Sequence, residues 1–570
     1  NLGVVELTVA LHRVFSFPPD KLIFDVGHQC YTHKILTGRK DLFRTLRQAG
    51  GLSGFPSPEE SPADIFCTGH AGTAISQATG LSLGEVANGA RARVVAVIGD
   101  GSLTNGLTFE GLNFLGGLKK RLLVILNDNK MSISPTRGAL AYYLTKLVTS
   151  PRVSRQKEEL RQWLRKIPSI GDDLLRLAEE MEVRTKDLLL PGIFFEKLGL
   201  RYLGPIDGHD FQQLIEILAN LRESNEPVLL HVITRKGKGY PPAEEHPEDF
   251  HGVGPFDLKT GQAVSVNGLT PARVAARTLE EIARENPDVV VLTAAMEKGL
   301  ELESFSQNFP QRFFDVGIAE SHCVSLASGL ARAGRRPVVA IYSTFLQRAY
   351  DQIWHDVCLQ ALPVVFLVDR AGVVGEDGAT HQGIYDLSYL RTIPDLRLLA
   401  PYSLENLKDC LRRSLQEKFP VAIRYPRSYL VETLPDHLGS PEEARVLILG
   451  LGSLAEASFA AGSFLQQKGH SSAVLAVDQV KPLPENVVNQ LEKPRQLVVT
   501  VEENSRVGGF GSAVLEHLAA RQKNQPVLIL GLPDSFLNHG PRQEILENFG
   551  LSGAGIAAAI EKALFASGKV

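Results

Sequence analysis

Short apolar runs rich in β-branched residues alternate with helix-patterned segments along nearly all of the 570 residues. This alternation is typical of α/β domains, in which helices cover mostly parallel sheets. We therefore predict an α/β fold with three layered α/β domains and mostly parallel sheets. The candidate strands are residues 94–98, 122–126, 228–233, 289–292, 338–342, 364–368, 446–449, 473–477, 497–501 and 527–530.

Two stretches rich in Gly, Pro and polar residues divide the chain, at residues 256–272 and 424–444. A chain of this length is also too long for a single core. We predict domains at 1–262, 270–432 and 440–570. Charged helical patterns such as "RQKEELRQWLRKI" break the strand–helix alternation and predict a helical insertion at about residues 145–190 of the first domain.

Composition excludes several classes of protein. The formal net charge is −4 and no basic stripe stands out, which argues against a nucleic-acid partner. No apolar run approaches the roughly 18 residues of a membrane span, so no membrane partner is expected. The 5 cysteines are scattered without CxxC pairs, which favours a reducing compartment and a cytoplasmic location. Because Asn1 opens directly into a helical pattern, we expect an upstream segment, and a plastid location stays open.

Two of the apolar runs end in oxygen-bearing side chains, in "VIGDGS" and "VILNDNKM". The carboxyl ends of parallel strands are where open sheets bind ligands. Asp100, Asn129 and the main-chain carbonyl near Met131 could hold Mg²⁺ together with phosphate oxygens. Gly101 and Ser102 would bring the amides of a helix start close to that phosphate. Taken alone, an Asp between glycines is more often a turn.

Further stretches carry a resemblance to a known family. They are "DVGHQCYTHKILTGR", "PIDGHD", "DVGIAESHCV", "IYSTFLQRAYDQ", "DRAGVVGEDGATHQGIYDLSYLR" and "VEENSRVGGFGS". With them the chain resembles the thiamine diphosphate-dependent 1-deoxy-D-xylulose-5-phosphate synthase family, of the transketolase-like superfamily, from end to end. The resemblance implies a homodimeric transferase that uses thiamine diphosphate and Mg²⁺. Pyruvate would condense with D-glyceraldehyde 3-phosphate, releasing CO₂ and forming 1-deoxy-D-xylulose 5-phosphate for isoprenoid and thiamine synthesis.

The resemblance also assigns residues to the cofactor. Glu320 would bond to N1′ of the aminopyrimidine, Phe345 would stack on that ring, and His251 would face the reacting carbon and assist proton transfers. The expected further contacts are His28, His70, Ala71, Gly72 and Tyr240. The Ala71–Gly72 pair departs from the Ser-Ser that is commoner in the family, so a side-chain hydrogen bond to diphosphate is in doubt and backbone amides could substitute.

For the acceptor, the resemblance places the phosphate on Tyr342, Arg370 and Arg427, since arginine suits a phosphate that needs planar donors. Arg348, Asp377 and His381 lie in the same matching stretches. His381 is a candidate for handling protons of the aldehyde. The last domain offers no complete catalytic constellation and is predicted to serve dimer stability and packing.

Two alternatives remain at this point: a transketolase, and a catalytically silent paralogue that binds ligands. "DVGHQCYTHKILTGR" and "PIDGHD" favour the synthase family, and Glu320 and Asp100, which a silent paralogue would be expected to lack, are both present. The family also carries a Ser-Gly-His that would fall shortly upstream of Asn1, so we expect one active-site histidine in the preceding segment.

Overall fold

The computed structural model describes residues 1–87, 92–129, 192–251, 254–262, 268–427 and 429–566. They form two compact units. Unit 1 comprises Asn1–Lys40 and Phe55–Val264, and unit 2 comprises Asp41–Gly54 and Ser265–Val570. The predicted insertion at residues 145–190 and the predicted ligand Met131 lie outside the described residues. The three predicted domain ranges stay a prediction.

Unit 1 contains one five-stranded, fully parallel sheet in the order β1-β2-β3-β5-β4. Its strands are β1 Lys21–Phe24, β2 Val94–Gly99, β3 Leu122–Asp128, β4 Arg201–Asp207 and β5 Pro227–Ile233. Its helices are α1 Val5–Val14, α2 Tyr31–Lys34, α3 Ala74–Ala87, α4 Gly106–Leu118, α5 Ile193–Lys197, α6 Phe211–Arg222 and α7 Pro241–Glu245.

Both faces of this sheet are buried, which explains the nearly continuous apolar strands. Val95 and Val97 of β2 belong to the core that α1 and α6 cover. Ala96 and Ile98, the alternate residues, belong to the core that α3 and α4 cover. Because successive strand residues point to opposite faces, a strand with helices on both sides has no polar face.

Unit 2 contains two sheets. The second sheet has the order β15-β10-β11-β9-β8-β6-β7 and the third the order β12-β14-β13-β16-β17. The strands are β6 Val289–Thr293, β7 Phe313–Asp315, β8 Arg336–Tyr342, β9 Val365–Asp369, β10 Arg397–Leu399, β11 Val421–Arg424, β12 His437–Leu438, β13 Val446–Leu451, β14 Ser472–Val477, β15 Gln479–Lys481, β16 Leu497–Ser505 and β17 Val527–Leu532. All pairings are parallel except those of β12 and β15.

The helices of unit 2 flank these sheets. They are α8 Pro271–Glu285, α9 Glu303–Asn308, α10 Glu320–Arg332, α11 Ser343–Leu346, α12 Tyr350–Gln352, α13 Asp386–Arg391, α14 Leu404–Ser414, α15 Ala455–Gln467, α16 Glu485–Leu491, α17 Phe510–Ala520, α18 Arg542–Asn548 and α19 Gly553–Ala566. Short 3₁₀ or π turns occur at Leu2–Val4, Ile35–Arg39, Lys40–Thr45, Gly101–Thr104, Pro310–Arg312, Gln347–Ala349, Ile353–Cys358 and Gly452–Leu454.

The second and third sheets are joined within unit 2. Strand β15 follows β14 of the third sheet along the chain and pairs antiparallel with β10 of the second. One apolar core runs through both regions and includes Leu399, Val480 and Val498. The last part of the chain therefore packs directly on the part that precedes it.

The predicted fold class is confirmed, and each of the ten candidate strands overlaps an observed strand. By length and composition alone, Arg542–Ala566 could cross a membrane. The stretch is divided into the two helices α18 and α19, and Ile556, Ile560 and Leu564 of α19 are buried in the core beside the third sheet.

Candidate functional site

The Gly-Asp-Gly and Asn-Asp-Asn stretches meet at one edge of the unit 1 sheet. Strand β2 ends at Gly99, strand β3 ends at Asp128, and Gly99 pairs with Asn127 in the parallel register. The backbone N–H of Asp100 donates to the carbonyl of Asn127 over 3.2 Å. Asp100 is buried, and Asn129 follows the end of the adjacent strand. The register thus places the two predicted metal ligands at neighbouring strand ends.

The Asn-Asp-Asn turn is anchored from strand β5 and the residue after it. Thr234 donates its hydroxyl to Oδ1 of Asn127 over 2.7 Å. The fully buried His231 has its Nε2 3.0 Å from Oδ2 of Asp128, and its Nδ1 is 2.7 Å from the Tyr202 hydroxyl. These contacts hold the side chains of Asn127 and Asp128 in the protein interior.

Asp25, at the end of β1, fixes the loop that carries His70 and Ala71. Both its carboxylate oxygens accept the N–H of Gly72 at 2.9 Å, and Oδ1 also accepts the N–H of Ala74 at 3.1 Å. Gly72 has φ +90°, and a Cβ there would lie 2.3 Å from Oδ1 of Asn105. The loop needs glycine at this position, and the Gly72 amide is already engaged by Asp25.

His28 and His251 come together in unit 1, with ring centroids 5.0 Å apart. Nδ1 of His251 lies 3.0 Å from the Lys236 ammonium group, which can only donate. Burial and, to a smaller extent, the charge of Lys236 together lower the pKa of His251 to about 3. His251 is therefore neutral near pH 7, with Nδ1 as the acceptor and the proton on Nε2.

Tyr240 has its own local environment before helix α7. Its ring packs against Phe250 and Phe256, with centroids 5.7 and 5.9 Å away, and its hydroxyl donates to the Leu258 carbonyl over 3.0 Å. Its placement on a cofactor stays a prediction. His70 is half-buried in the loop before α3.

In unit 2, Glu320 is the first residue of α10 and is only 3 % exposed. Burial raises the pKa of Glu320 above its usual range, and Arg348, whose Nη1 lies 3.6 Å from Oε2 of Glu320, opposes that rise. Ser321 donates its hydroxyl to the Arg348 carbonyl over 3.0 Å, which ties α10 to the turn carrying Arg348. Burial thus favours the protonated form of this carboxyl group, and Arg348 favours the ionised form.

Tyr342 and Arg370 form a stacked pair at the carboxyl ends of β8 and β9. The Arg370 guanidinium carbon lies 3.7 Å from the centroid of the Tyr342 ring. A Cβ added at Gly299 would lie 1.7 Å from the tyrosine hydroxyl oxygen, so the backbone of Gly299 closes one side of the pair. Burial raises the pKa of Tyr342, and burial raises that of the adjacent Asp369 to about 7.

Asp377 and His381 stand on the loop after β9. Asp377 forms an ion pair with Arg47, which comes from the segment 41–54 of the same unit. Burial opposes ionisation of Asp377, but His381 and Arg47 hold its pKa below the usual range. The His381 ring meets Phe345 edge-on with centroids 5.6 Å apart. Asp377 is thus an anion near neutral pH.

Arg427 is exposed just beyond β11. Its charge lowers the pKa values of Tyr342, Asp369 and Asp377, which burial acts to raise. Unit 2 therefore brings together all three residues predicted for the acceptor phosphate. Ser428 lies outside the described residues.

Three residues that contact the predicted site residues were not among the predictions from the sequence. Arg47 gave no signal, because its partner Asp377 lies 330 residues away. Lys236 was likewise unremarkable as a lone lysine. Asp25 did carry a signal, since it follows the apolar run "KLIF" and opens one of the quoted stretches.

Family models match three parts of the chain. "1-deoxy-D-xylulose-5-phosphate synthase" covers residues 1–234, "Transketolase, pyrimidine binding domain" covers 268–432, and "Transketolase, C-terminal domain" covers 440–556. Among similar proteins, the 1-deoxy-D-xylulose-5-phosphate synthase of Carboxydothermus hydrogenoformans is 49% identical over 97% of this chain and 90% of its own.

Two further synthases of the same name are comparably similar. That of Pelotomaculum thermopropionicum is 50% identical over 97% of this chain and 88% of its own. The 1-deoxy-D-xylulose-5-phosphate synthase 1 of Geobacter sulfurreducens is 47% identical over 100% of this chain and 91% of its own. Identity at this level over nearly the whole length shows that the chain belongs to the 1-deoxy-D-xylulose-5-phosphate synthase family.

Proposed function

We propose that this chain condenses pyruvate with D-glyceraldehyde 3-phosphate, releases CO₂ and forms 1-deoxy-D-xylulose 5-phosphate. The observation that carries the proposal is the near full-length similarity to synthases of that product. The chain is a thiamine diphosphate-dependent transferase of isoprenoid biosynthesis. The bound cofactor supplies the nucleophilic carbon and the electron sink for decarboxylation, and the protein supplies binding, orientation and proton handling.

Glu320 is proposed as the carboxyl group at N1′ of the aminopyrimidine. Its burial and raised pKa support this role, because burial favours the protonated form and a carboxyl group in that form can share its proton with a ring nitrogen. The charge of Arg348 favours the ionised form of the Glu320 carboxyl group. Phe345 lies in the same unit and offers an aromatic face for the pyrimidine ring.

Mg²⁺ and the diphosphate are assigned to the strand ends of unit 1. A carboxylate and an amide oxygen at adjacent ends, Asp100 and Asn129, fit an octahedral cation that also binds phosphate oxygens. The turn Gly101–Thr104 places Gly101 and Ser102 directly beside Asp100. The Gly72 amide donates to Asp25, so the diphosphate contact there falls to other groups, such as His70.

His251 is proposed to exchange protons at the reacting carbon. Its neutral state leaves Nε2 able to donate, and the fixed Lys236 contact on Nδ1 selects that tautomer. His28, 5.0 Å away between ring centroids, is placed to help orient the same group.

The acceptor phosphate is assigned to Arg370, Arg427 and Tyr342. The Arg370 guanidinium group lies over the Tyr342 ring, which restricts its position, and its planar set of N–H donors suits a phosphate. Asp377 and His381 would bind the hydroxyl and aldehyde groups of the acceptor. The Arg47 ion pair orients Asp377 for that contact.

A cytoplasmic homodimer is proposed for the assembled protein. The five cysteines, all within the described residues, form no disulfide, which fits a reducing compartment. Trp354 and Leu359 are 43% and 62% exposed on adjoining turns and offer apolar area for a second copy. Light scattering after gel filtration should give twice the chain mass, and Leu359→Glu should shift it towards the monomer.

The proposed reaction is tested by supplying the purified protein with thiamine diphosphate, Mg²⁺, pyruvate and glyceraldehyde 3-phosphate. Product identified by mass spectrometry, with one CO₂ released per acceptor consumed, is the expected result. Xylulose 5-phosphate with ribose 5-phosphate provides the transketolase arm. Two-carbon transfer in that arm, without product from pyruvate, would contradict the proposal and show transketolase activity instead.

A further inference from the structure

The loop between β9 and α13 carries three of the residues proposed to bind the acceptor. We refer to residues 370–383, from Arg370 through Asp377 and His381, as the acceptor loop. The loop is closed at its base, since Gly372 and Gly383 exchange backbone hydrogen bonds of 2.7 and 2.8 Å. Its orientation is therefore set by what holds the closed base.

Glu503 of β16, in the third sheet, contacts that base. It is 1 % exposed. Its Oε1 accepts the backbone N–H of Val373 over 2.9 Å and Nε of Arg542 over 2.8 Å. Its Oε2 accepts the Ser453 hydroxyl over 2.5 Å and a second N–H of Arg542. Both oxygens of the carboxylate are thus fully used.

The fit between carboxylate and loop is tight. Gly372 has φ +83°, and a Cβ there would lie 2.6 Å from Oε1 and Cδ of Glu503. A larger residue at position 372 would push the loop off the carboxylate. Burial opposes ionisation of Glu503, but Arg542 and the other donors hold its pKa below the usual range. The group that receives the Val373 amide is an anion.

Residues 538–542, which include Arg542, also contact the acceptor loop. The N–H of Gly540 donates to the carbonyl of Gly375 over 3.3 Å. Gln382 accepts the N–H of Val374 over 2.7 Å and donates to the Asn538 carbonyl over 3.5 Å. Residues 538–542 therefore supply both backbone contacts to the loop and the arginine that pairs with Glu503.

We propose that Glu503 is a positioning residue for the phosphorylated acceptor. It holds the Val373 amide and so fixes the loop on which Arg370, Asp377 and His381 stand. Ordinary packing between two regions would be met by apolar side chains, because a buried ion pair often gains little stability over them. A carboxylate held by Arg542 and Ser453 that also accepts a backbone N–H of the loop instead fixes the position of that N–H. The last domain then takes part in acceptor recognition, an inference that rests on the proposed function.

The chain offers a matched control in the neighbouring residue. Glu502 is also fully buried on β16, but its carboxylate accepts the N–H groups of Phe510 and Gly511 at the start of α17. It supports a helix terminus rather than the acceptor loop. Glu502→Gln and Glu503→Gln therefore make the same side-chain change at adjacent buried positions. They differ in charge, because burial raises the pKa of Glu502 to about 7 whereas Glu503 is an anion.

The experiment compares steady-state kinetics of the full-length Glu503→Gln, Glu503→Ala and Glu502→Gln variants with saturating cofactor. For Glu503→Ala, KM for glyceraldehyde 3-phosphate should rise about tenfold or more while KM for pyruvate stays within about threefold, the scale of losing a hydrogen bond to a charged group. Glu503→Gln should fall between, since its amide oxygen can still accept from Val373. Glu502→Gln should leave both KM values near those of the wild type.

Hydrogen–deuterium exchange of the 370–383 peptide supplies a readout independent of the reaction. Exchange there should quicken in the Glu503 variants and not in Glu502→Gln. Equal rises in both KM values, or unchanged exchange in Glu503→Ala, would overturn the positioning role. A wild-type protein that makes no product from the two substrates would refute the proposed function. The exchange comparison would still test whether Glu503 holds the acceptor loop through the Val373 amide.

Discussion

Glu320 is almost completely buried and lies 3.6 Å from the guanidinium group of Arg348. Burial raises the pKa of Glu320, and the charge of Arg348 opposes that rise. Glu320→Gln should lower kcat by about 10²–10⁴, the usual worth of a positioned acid–base group. The thermal unfolding midpoint should change little, since glutamine has the same shape. Steady-state kinetics and circular dichroism measure the two effects.

Glu405→Gln is the control for that change. Glu405 also lies in the first turn of a helix, α14, but it is exposed and pairs with Lys408. It should keep wild-type kcat, because exposed pairs contribute little. A Glu320→Gln variant with more than about half of wild-type kcat would refute the assignment of this carboxyl group, given the expected size of the effect.

Arg370→Ala and Arg427→Ala should raise KM for glyceraldehyde 3-phosphate far more than KM for pyruvate. A hydrogen bond to a charged phosphate contributes about 1.5–3 kcal/mol, which pyruvate would not share. Arg412→Ala is the control, since Arg412 makes an exposed ion pair with Glu281 on the surface of unit 2. Equal effects on both substrates would mean that Arg370 and Arg427 serve the fold or the cofactor.

His251 predicts a pH dependence of stability. Its folded pKa of about 3 lies below the roughly 6.5 of an unfolded histidine, so only the unfolded chain gains this proton in that window. The stability linked to neutral His251 is present above pH 6.5 and lost as the pH falls towards 3. The unfolding midpoint of His251→Asn should therefore drop less than that of the wild type between pH 7 and 5. A constant difference between the two would contradict the burial account.

At the scale of elements, the metal site depends on β2 and β3 ending side by side. Asp100→Ala should weaken Mg²⁺-dependent binding of thiamine diphosphate, because the cation loses an anionic ligand. Calorimetric titration with and without Mg²⁺ measures this. Asp207→Ala is the control, since Asp207 is an exposed aspartate at the carboxyl end of the edge strand β4. Wild-type affinity and Mg²⁺ dependence in Asp100→Ala would exclude the site.

The long buried strands could be predicted from sequence because helices cover both their faces and leave uninterrupted apolar runs. Short strands such as β1, β7 and β10 span three or four residues, too few to show a period. Strand β4 is longer, but Gly204 and Pro205 interrupt it and it lies at the sheet edge. The ends of β2 and β3, and therefore the positions of Asp100 and Asn129, could be predicted from the points at which these two apolar runs stop.

The side-chain contacts between distant segments could not be predicted in this way. Hydrophobic period places a residue on a face but does not say which segment approaches it. Arg47 meets Asp377, and Lys236 meets His251, through the tertiary fold alone. The sequence also did not show that Asp25 accepts the Gly72 N–H. That backbone amide is therefore not available to replace the Ser-Ser pair in the way that had been expected.

At the scale of the whole molecule, the last domain was expected to serve packing and dimer stability. Its strand β15 completes the second sheet, and its Glu503 accepts a hydrogen bond from the base of the acceptor loop. The motif "VEENSRVGGFGS" pointed to the region, but the partner Val373 lies 130 residues earlier. If Glu503 positions the acceptor loop, as we propose, acceptor binding depends on the last domain as well as on the residues that touch the substrate.

The central claim is that this chain uses pyruvate as donor and glyceraldehyde 3-phosphate as acceptor. The most direct measurement follows ¹³C-labelled pyruvate through the purified protein with thiamine diphosphate, Mg²⁺ and glyceraldehyde 3-phosphate by NMR. We expect labelled 1-deoxy-D-xylulose 5-phosphate and one equivalent of CO₂, with no two-carbon transfer from xylulose 5-phosphate to ribose 5-phosphate. Transfer from xylulose 5-phosphate, together with unconsumed pyruvate, would contradict the central claim.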